Sequence, residues 1–417
     1  MKEKIAFVIN EFPQPSETFI VNQITALIQT GRSIDILASE LLDTRNSSQA
    51  DLLARHELIK ATSVFPEAPP NFYQRLTRAL RIFRDSPPVK RRALLRSFNI
   101  FTYRRAALNL DGFYQGARFV EHGDYPLYHA QYGPNGRAAA IAKELGIIRG
   151  KIITTFHGYD AHCRPGQVDS LSKFYRPLFT HGDLFTANTD YLAAQLRRIG
   201  CPDDKIRLVP MGIDTSFFYP SEQSYTPGTD VVHLLSVGRL VNWKGHHLGI
   251  KAVADILSTN HKAHYTIIGE GPERLKLQAL IDKYGIDNRV TLVGVKNQEE
   301  VRDYMRNSDI FLMTSTHDLH GRRETQGIVS AEAQACGLPV VAFRSGGIGS
   351  TIKHGLSGLL VEENDITGFT KAVVELIGSP FRRKNMGRAG VDFICRNYSL
   401  DVTARAINAL YNNLLEK

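Results

Sequence analysis

The chain reads as α/β, with two doubly wound parallel-sheet units in tandem. Three observations predict this. Short apolar runs rich in Val, Ile and Leu alternate with helical segments along most of the length. Those runs end in glycine-rich or polar turns, as strands do at the carboxyl edge of a parallel sheet. The rhythm also breaks once, over residues 215–230, and then restarts. A chain of 417 residues exceeds one ordinary core, so two or three domains are expected.

In the first half, residues 4–10 form a strand, followed by a polar loop and a helix over 18–30 that Gly31 stops. Residues 32–38 form the second strand, and 40–70 read as an irregular connection ending in prolines. A strand at 128–131 leads into Gly133-Pro134-Asn135-Gly136, which opens a helix. A buried strand at 151–156 runs into His157, and strands at 183–187 and 206–209 flank a helix capped by Asn188 or Thr189. After the 215–230 linker come strands at 231–237, 265–268, 290–293 and 310–314. A helix over 326–336 follows, then strands at 339–343 and 358–361, then helices to the end. The units are therefore bounded as 1–214, a 215–230 hinge, 231–395, and a C-terminal helix at 396–417 expected to pack back on the first unit.

Composition excludes several classes. Hydrophobic residues are 43% and charged residues 22%, as in a soluble globular protein. The four cysteines, Cys163, Cys201, Cys336 and Cys395, are widely separated, against a disulfide scaffold or zinc site. No apolar run approaches the roughly 18 residues of a membrane span, and residues 5–9 are too short for a signal core. A cytoplasmic protein is expected. Residues 71–105 hold ten Arg or Lys against Asp85 alone, interleaved with Leu and Phe. Helical spacing gives them a basic and an apolar face, suited to an anionic membrane or partner; two ordinary core helices fit the pattern equally. No nucleic-acid motif accompanies the charge.

Five local patterns carry chemistry. Glu324 and Glu332 stand eight apart, the first in a loop and the second about two helical turns in, and helical geometry puts the pair roughly on one side about 12 Å apart. The N–H groups of Gln326, Gly327 and Ile328 at that helix start favour phosphate, although a capping and an ordinary helical glutamate have the same spacing. In SVGRLVNWKG (236–245), Gly238, Arg239 and Lys244 follow a buried strand, a placement that makes a merely solvated surface charge a poor reading of the two cations. His157 and Asp160 follow the 151–156 strand at the sheet's carboxyl edge, where ligands bind; a lone His is otherwise commonly structural. PQPSETFI (13–20) offers Ser16, Glu17 and Thr18 as caps or as contacts to a second substrate. Residues 129–135 are a further such candidate. IIGEGP (267–272) lacks the third glycine of a dehydrogenase fingerprint.

In chain order, PMGID (210–214), GRLVNWKG, GEGP, E-x7-E, GLPVV (337–341) and Gly346-Gly347 resemble the family 4 glycosyltransferases. The PxxSETFI start resembles the exopolysaccharide branch of colanic acid and amylovoran enzymes. The resemblance implies the GT-B fold, two Rossmann-like domains facing across a cleft, with an acceptor-binding first domain and a nucleotide-sugar-binding second domain. It implies a retaining, metal-independent hexosyltransferase using a nucleoside-diphosphate sugar, UDP-linked by preference, and a glycan or lipid-linked acceptor. It makes His157, Arg239, Lys244 and Glu324 catalytic. Gly238, Gly294, Val295, Gln326, Gly327, Ile328 and Glu332 become donor contacts, with Glu332 on the ribose, and Ser16, Glu17, Thr18 and Asp160 acceptor-side candidates. No cofactor and no metal is expected, and the sequence has no D-x-D. The phosphate-contacting glycines of many family members are missing from residues 13–18. A nucleotide-sugar epimerase or hydrolase, or a non-catalytic sensor, are the competing readings. Sugar release without acceptor, or binding without turnover, distinguishes them.

Overall fold

The fold comes from a computed structural model. It describes residues 4–14, 17–44, 47, 49–99, 105–163, 166–221 and 231–416. Contacts divide the chain into two units, residues 1–209 with 404–417, and residues 210–403.

The first unit contains β1 (Lys4–Phe12), β2 (Ser33–Leu41), β3 (Thr62–Val64), β4 (Leu127–Gln131), β5 (Lys151–Thr155), β6 (Leu184–Ala187) and β7 (Ile206–Leu208). They pair in parallel in the order β3-β2-β1-β4-β5-β6-β7. Helices cover a parallel sheet on both faces, which is why β4 and residues 5–9 of β1 are buried throughout. The strand order reverses between β1 and β4, so the loops leaving their carboxyl ends diverge and open a crevice.

The second unit contains β8 (Val232–Val237), β9 (Ala263–Ile268), β10 (Val290–Gly294), β11 (Ile310–Met313), β12 (Val340–Phe343) and β13 (Gly358–Val361). Their order is β10-β9-β8-β11-β12-β13, again all parallel. Here the reversal falls between β8 and β11.

Three expectations change. The stretch 40–70 is not wholly irregular. It contains the helix Ala50–Arg55 and the three-residue β3, too short and too exposed an edge strand to give an alternating pattern. The helix expected over 326–336 runs Ile328–Ala335, with Gly327 as N-cap at φ 77°. Glu324 lies in the loop before it, as expected, but Glu332 is one turn into the helix, not two, and the 12 Å helical spacing does not apply. Residues 210–214 fall with the second unit. There the Met211 backbone pairs with the Gln326 amide, and Ile213 N–H donates to the Tyr398 carbonyl at 2.7 Å.

The last helix, Leu400–Leu415, starts in the second unit and continues into the first. Ala404, Ile407 and Tyr411, at helical spacing, are buried. Arg32 Nε donates to Asn408 Oδ1 at 2.7 Å, and Asn408 Nδ2 to Thr30 Oγ1 at 2.6 Å. Part of the predicted hinge, residues 222–230, lies outside the described residues.

Candidate functional site

In the second unit the candidate residues gather at the β8/β11 reversal. Lys244 arrives on the loop after β8 and Glu324 on the loop after β11. The Lys244 Nζ donates to Glu324 Oε2 at 2.5 Å, with both side chains mostly shielded. An ion pair so placed adds little stability, because desolvation offsets its attraction. Its consequence is position: an ammonium with three donors is held at the strand ends. Trp243 collects both cations, with Lys244 Nζ 4.8 Å and Arg239 Cζ 5.9 Å from its ring. Arg239 itself is exposed.

Glycines make this loop possible. Gly245 has φ 67°, and an added Cβ would run into the Thr314 carbonyl of the loop after β11. Thr314 Oγ1 in turn donates to Lys244 O at 3.2 Å. The GEGP turn lies directly against the same loop: Gly238 N–H donates to Ile268 O and Leu240 N–H to Glu270 O. A Cβ on Gly269 would meet the Gly238 carbonyl. Gly269 N–H donates to Gly294 O at 2.8 Å, so Gly238, Gly269 and Gly294 form a continuous backbone rim over β8, β9 and β10. Val295, beside it, is 72% exposed.

Glu324 is anchored from behind. Gly347 N–H donates to its carbonyl at 2.8 Å, and a Cβ on Gly346, at φ 56°, would collide with that carbonyl. The preceding loop is braced by Glu363, which accepts from Arg323 Nε at 3.2 Å and from His317 N–H at 2.9 Å. Gln326 departs from its expected place. It precedes the helix, is fully buried, and its side chain accepts from Met211 N–H at 2.8 Å and donates to Met211 O at 2.9 Å. Its role is to tie residues 210–211 to the helix start, leaving Gly327 and Ile328 at the tip. Glu332 sits one turn into the helix, where burial pushes its carboxyl up to about 7.

The buried His246 stands beneath this loop, its Nε2 3.7 Å from where a Gly238 Cβ would be. Burial, with the Lys244 charge, holds its imidazole down at about 4, so it is neutral.

In the first unit the loops after β1, β4 and β5 meet. His157 Nε2 donates to Gln131 Oε1 at 2.8 Å, and Gln131 Nε2 donates to Gln23 Oε1 at 2.9 Å. The imidazole packs between Phe19 and Tyr132, with ring centroids 4.9 Å and 4.5 Å away. Burial lowers it to about 3, so it is neutral. Tyr132 has φ 70° and donates through its hydroxyl to Glu17 Oε1 at 2.6 Å. Such backbone strain costs on the order of 1–3 kcal/mol and gathers at functional loops. Burial raises Glu17 above the usual carboxylate range, while the Tyr132 bond opposes it. Thr18 begins the Thr18–Gln29 helix. Ser16 lies outside the described residues.

Asp160 does not face outward. Its carboxylate accepts from the N–H groups of His157 (3.0 Å), Gly158 (2.9 Å) and Gly133 (2.8 Å). It caps the Gly133–Leu145 helix from another loop and fixes the His157 backbone, not its imidazole. Burial raises it, and those backbone donors oppose the shift. Residues 129–135 are not a loop either. His129 and Gln131 are in β4 and Gly133 starts a helix, leaving Tyr132 as the connecting residue. His129 is buried, bonding Tyr411 Oη at 2.5 Å and Thr155 Oγ1 at 2.7 Å.

Among the described residues no group of three or more His, Cys, Asp or Glu side chains is placed to hold a metal ion, and no helix is long and apolar enough to cross a membrane.

Two family profiles match the chain: "Glycosyltransferase Family 4" over residues 82–217 and "Glycosyl transferases group 1" over residues 221–392. The chain is 33% identical over 87% of its length to a putative colanic acid biosynthesis glycosyltransferase, WcaL of Escherichia coli K12, covering 87% of that protein. The chain belongs to glycosyltransferase family 4. A second relative of this glycosyltransferase, the amylovoran biosynthesis glycosyltransferase AmsK of Erwinia amylovora, is 31% identical over 89% of the chain and 90% of its own length. Among solved structures, Anabaena HepE in complex with UDP superimposes with a TM-score of 0.72 at 17% identity, covering 99% of this chain and all of that one. The fold of the glycosyltransferase is GT-B, with seven- and six-stranded parallel α/β units.

Sequence reasoning singled out Gly238, Arg239, Lys244, Glu324 and His157 but not the residues that hold them. Trp243, Thr314, Gln131 and Phe19 gave no signal of their own. Tyr132 had one, standing immediately before Gly-Pro at a strand end.

Proposed function

We propose that this glycosyltransferase moves a hexose from a UDP-sugar to a hydroxyl of a glycan or lipid-linked glycan, with retention at the anomeric carbon and without a metal. The supporting observation is the Lys244–Glu324 pair at the β8/β11 reversal, with Arg239 gathered on the same indole. As the glycosidic bond breaks, charge builds on the leaving diphosphate. Lys244 and Arg239 stabilise that charge more than they stabilise the ground state. Gly327 and Ile328 N–H groups at the helix tip receive the phosphate or sugar, and Glu324, displaced from Lys244 by the diphosphate, accepts from sugar hydroxyls. Glu332 binds the ribose hydroxyls, and the Gly294–Val295 backbone lies at the base.

The first unit serves the acceptor. A neutral His157, clamped by Gln131, Phe19 and Tyr132, brings no charge to the transferred sugar. Glu17 and Thr18 line the acceptor side, and Asp160 acts through the backbone it holds. The names of WcaL and AmsK support exopolysaccharide synthesis as the setting, and HepE's bound UDP supports the base. The protein works in the cytoplasm, at the membrane face where lipid-linked glycans are extended.

A thermal-shift series of UDP-, GDP- and ADP-sugars tests the donor, because a ligand selective for the folded state raises the melting point. A UDP-sugar should give the largest shift; a larger shift with GDP-sugars overturns the base assignment. Product NMR should show the donor's anomeric configuration. Activity should persist in excess EDTA, and full loss restored by a divalent cation overturns metal independence.

A further inference from the structure

Glu17 stands at the N-cap of the Thr18–Gln29 helix, yet its side chain makes no capping bond there. Capping suits an oxygen on a short side chain, as in Ser, Thr, Asp or Asn. The Glu17 carboxylate turns instead to the residue after β4, and its Oε1 accepts from the Tyr132 hydroxyl at 2.6 Å. Its second oxygen, Oε2, has no hydrogen-bond or ion-pair partner among the described residues. The side chain is half-buried.

Tyr132 is the common neighbour of this carboxylate and of His157, whose ring lies 4.5 Å from its own. Glu17, Tyr132 and His157 follow β1, β4 and β5, so three loops bring them to the crevice at the β1/β4 reversal. Burial, the bond to Glu17 and the charges of Glu17 and Asp160 hold the Tyr132 phenol above its usual range, so it stays protonated and donates. Burial raises Glu17, the Tyr132 bond lowers it, and the like charge of Glu11 near the end of β1 raises it again. Two other groups there could take a proton. Asp160 is held by three backbone N–H groups, and His157, near 3, is a weaker base than a raised carboxylate. A glutamine at position 17 would tie the two loops without the cost of part-burying a charge, so the carboxylate has a use for its ionisation.

We propose that Glu17 is the catalytic base of the transfer, its open oxygen Oε2 receiving the proton of the attacking acceptor hydroxyl. The acceptor oxygen bonds to the anomeric carbon, the bond from that carbon to the donor diphosphate breaks, and its electron pair leaves on the diphosphate. Glu17 then returns the proton to solvent. Tyr132 is a positioning residue that fixes the carboxylate through Oε1. A general base works best when its proton affinity is matched to the working pH, and burial moves Glu17 in that direction. The assignment rests on the reading that the first unit serves the acceptor.

The test is transfer of radiolabel by the full chain from the UDP-sugar of largest thermal shift to membranes of a source strain deleted for this gene. Glu17→Gln keeps an oxygen for Tyr132. It should lower kcat at least about a hundredfold while the fold and the UDP-sugar thermal shift are retained. The pH profile separates a base from a structural tie. In the wild type, kcat/KM should fall on the acid side as the Glu17 carboxylate is protonated, and Glu17→Gln should lack that limb. Tyr132→Phe keeps the ring on His157 but removes the bond that lowers Glu17, so the limb should move to higher pH. Glu11→Gln removes a like charge, so the limb should move to lower pH. Glu17→Gln activity within a few-fold of wild type overturns the proposal and leaves the proton to the departing diphosphate. A limb that stays in place in both Tyr132→Phe and Glu11→Gln, or moves the same way in both, overturns it too. Free labelled sugar from the wild type, with no label in the glycan, would instead overturn the acceptor reading and the inference with it.

Discussion

The Lys244 ammonium, stacked on Trp243 and paired with Glu324, is the residue on which the proposed chemistry turns. Lys244→Ala should lower kcat about 10²–10³-fold, the scale for removing one preorganised charge-stabilising donor, with a fall in melting temperature from the mostly shielded Glu324 left without its partner but with the fold intact. Steady-state kinetics beside a melting curve checks this; activity within a few-fold of wild type removes Lys244 from the reaction. Glu332 gives a pH prediction. Its folded carboxyl stands near 7 against an ordinary 4.5, so the native state binds more protons than the unfolded state between those values. Stability therefore falls as pH rises through that window, and the penalty is complete above about 7. Glu332→Gln should be more stable than wild type at pH 8, by on the order of 2 kcal/mol, and equal to it near pH 4.5. Donor binding should move oppositely: wild-type affinity weakens from pH 8 to pH 6 as the carboxylate is protonated, and the variant is weaker and flat. Melting curves and donor titrations across pH 5–8 read both, and parallel pH profiles for the two proteins would exclude Glu332 from the ribose site.

At the scale of the element, the working parts are turns at strand ends, and glycines set how closely they approach. Gly346 lets the turn after β12 press on the Glu324 carbonyl. Gly346→Ala should destabilise by about 1–2 kcal/mol through its positive φ and also push Glu324 from Lys244, lowering kcat/KM at least about tenfold. Gly355 has a similar φ of 78° but open space around it. Gly355→Ala should therefore show the stability loss with activity intact. Equal activity loss in the two variants would mean that the Gly346 contact carries no functional geometry. The same logic explains which local patterns were legible. G-R-x4-K-G and E-x7-E are short spacings visible in one window. The Tyr132–Glu17 bond spans 115 positions, and the Gln326–Met211 pairing spans another 115, so no window contained them. The helix tip was misplaced by two residues for that reason. Gln326 has good helical character, but Gly327, at φ 77°, breaks the helical path after it, and the Gln326 amide pairs with Met211 outside the helix.

For the whole molecule, the chain's last segment belongs to its first unit, and Tyr411 is the fully buried contact there, bonded to His129 of β4. Tyr411→Phe leaves a buried imidazole nitrogen without that partner, costing about 1–3 kcal/mol. Hydrogen exchange should quicken in β4 and its neighbours β1 and β5 while β11 keeps its protection; a uniform change over both sheets would contradict the division into units. By itself, the sequence determined the two parallel α/β units and the residue types at the ends of β8, β11 and β5, because strand period, helix caps and strand-end turns are local properties of the backbone and side chains. Only the tertiary structure decided that Lys244 meets Glu324, that Asp160 faces backbone instead of solvent, and that Arg75, Lys90, Arg91 and Arg96 bind carbonyls while Arg78 and Arg81 line a cavity. Those outcomes depend on which loops diverge at a strand-order reversal and which carbonyls lie within reach, and sheet order arises from pairing between segments far apart in the chain.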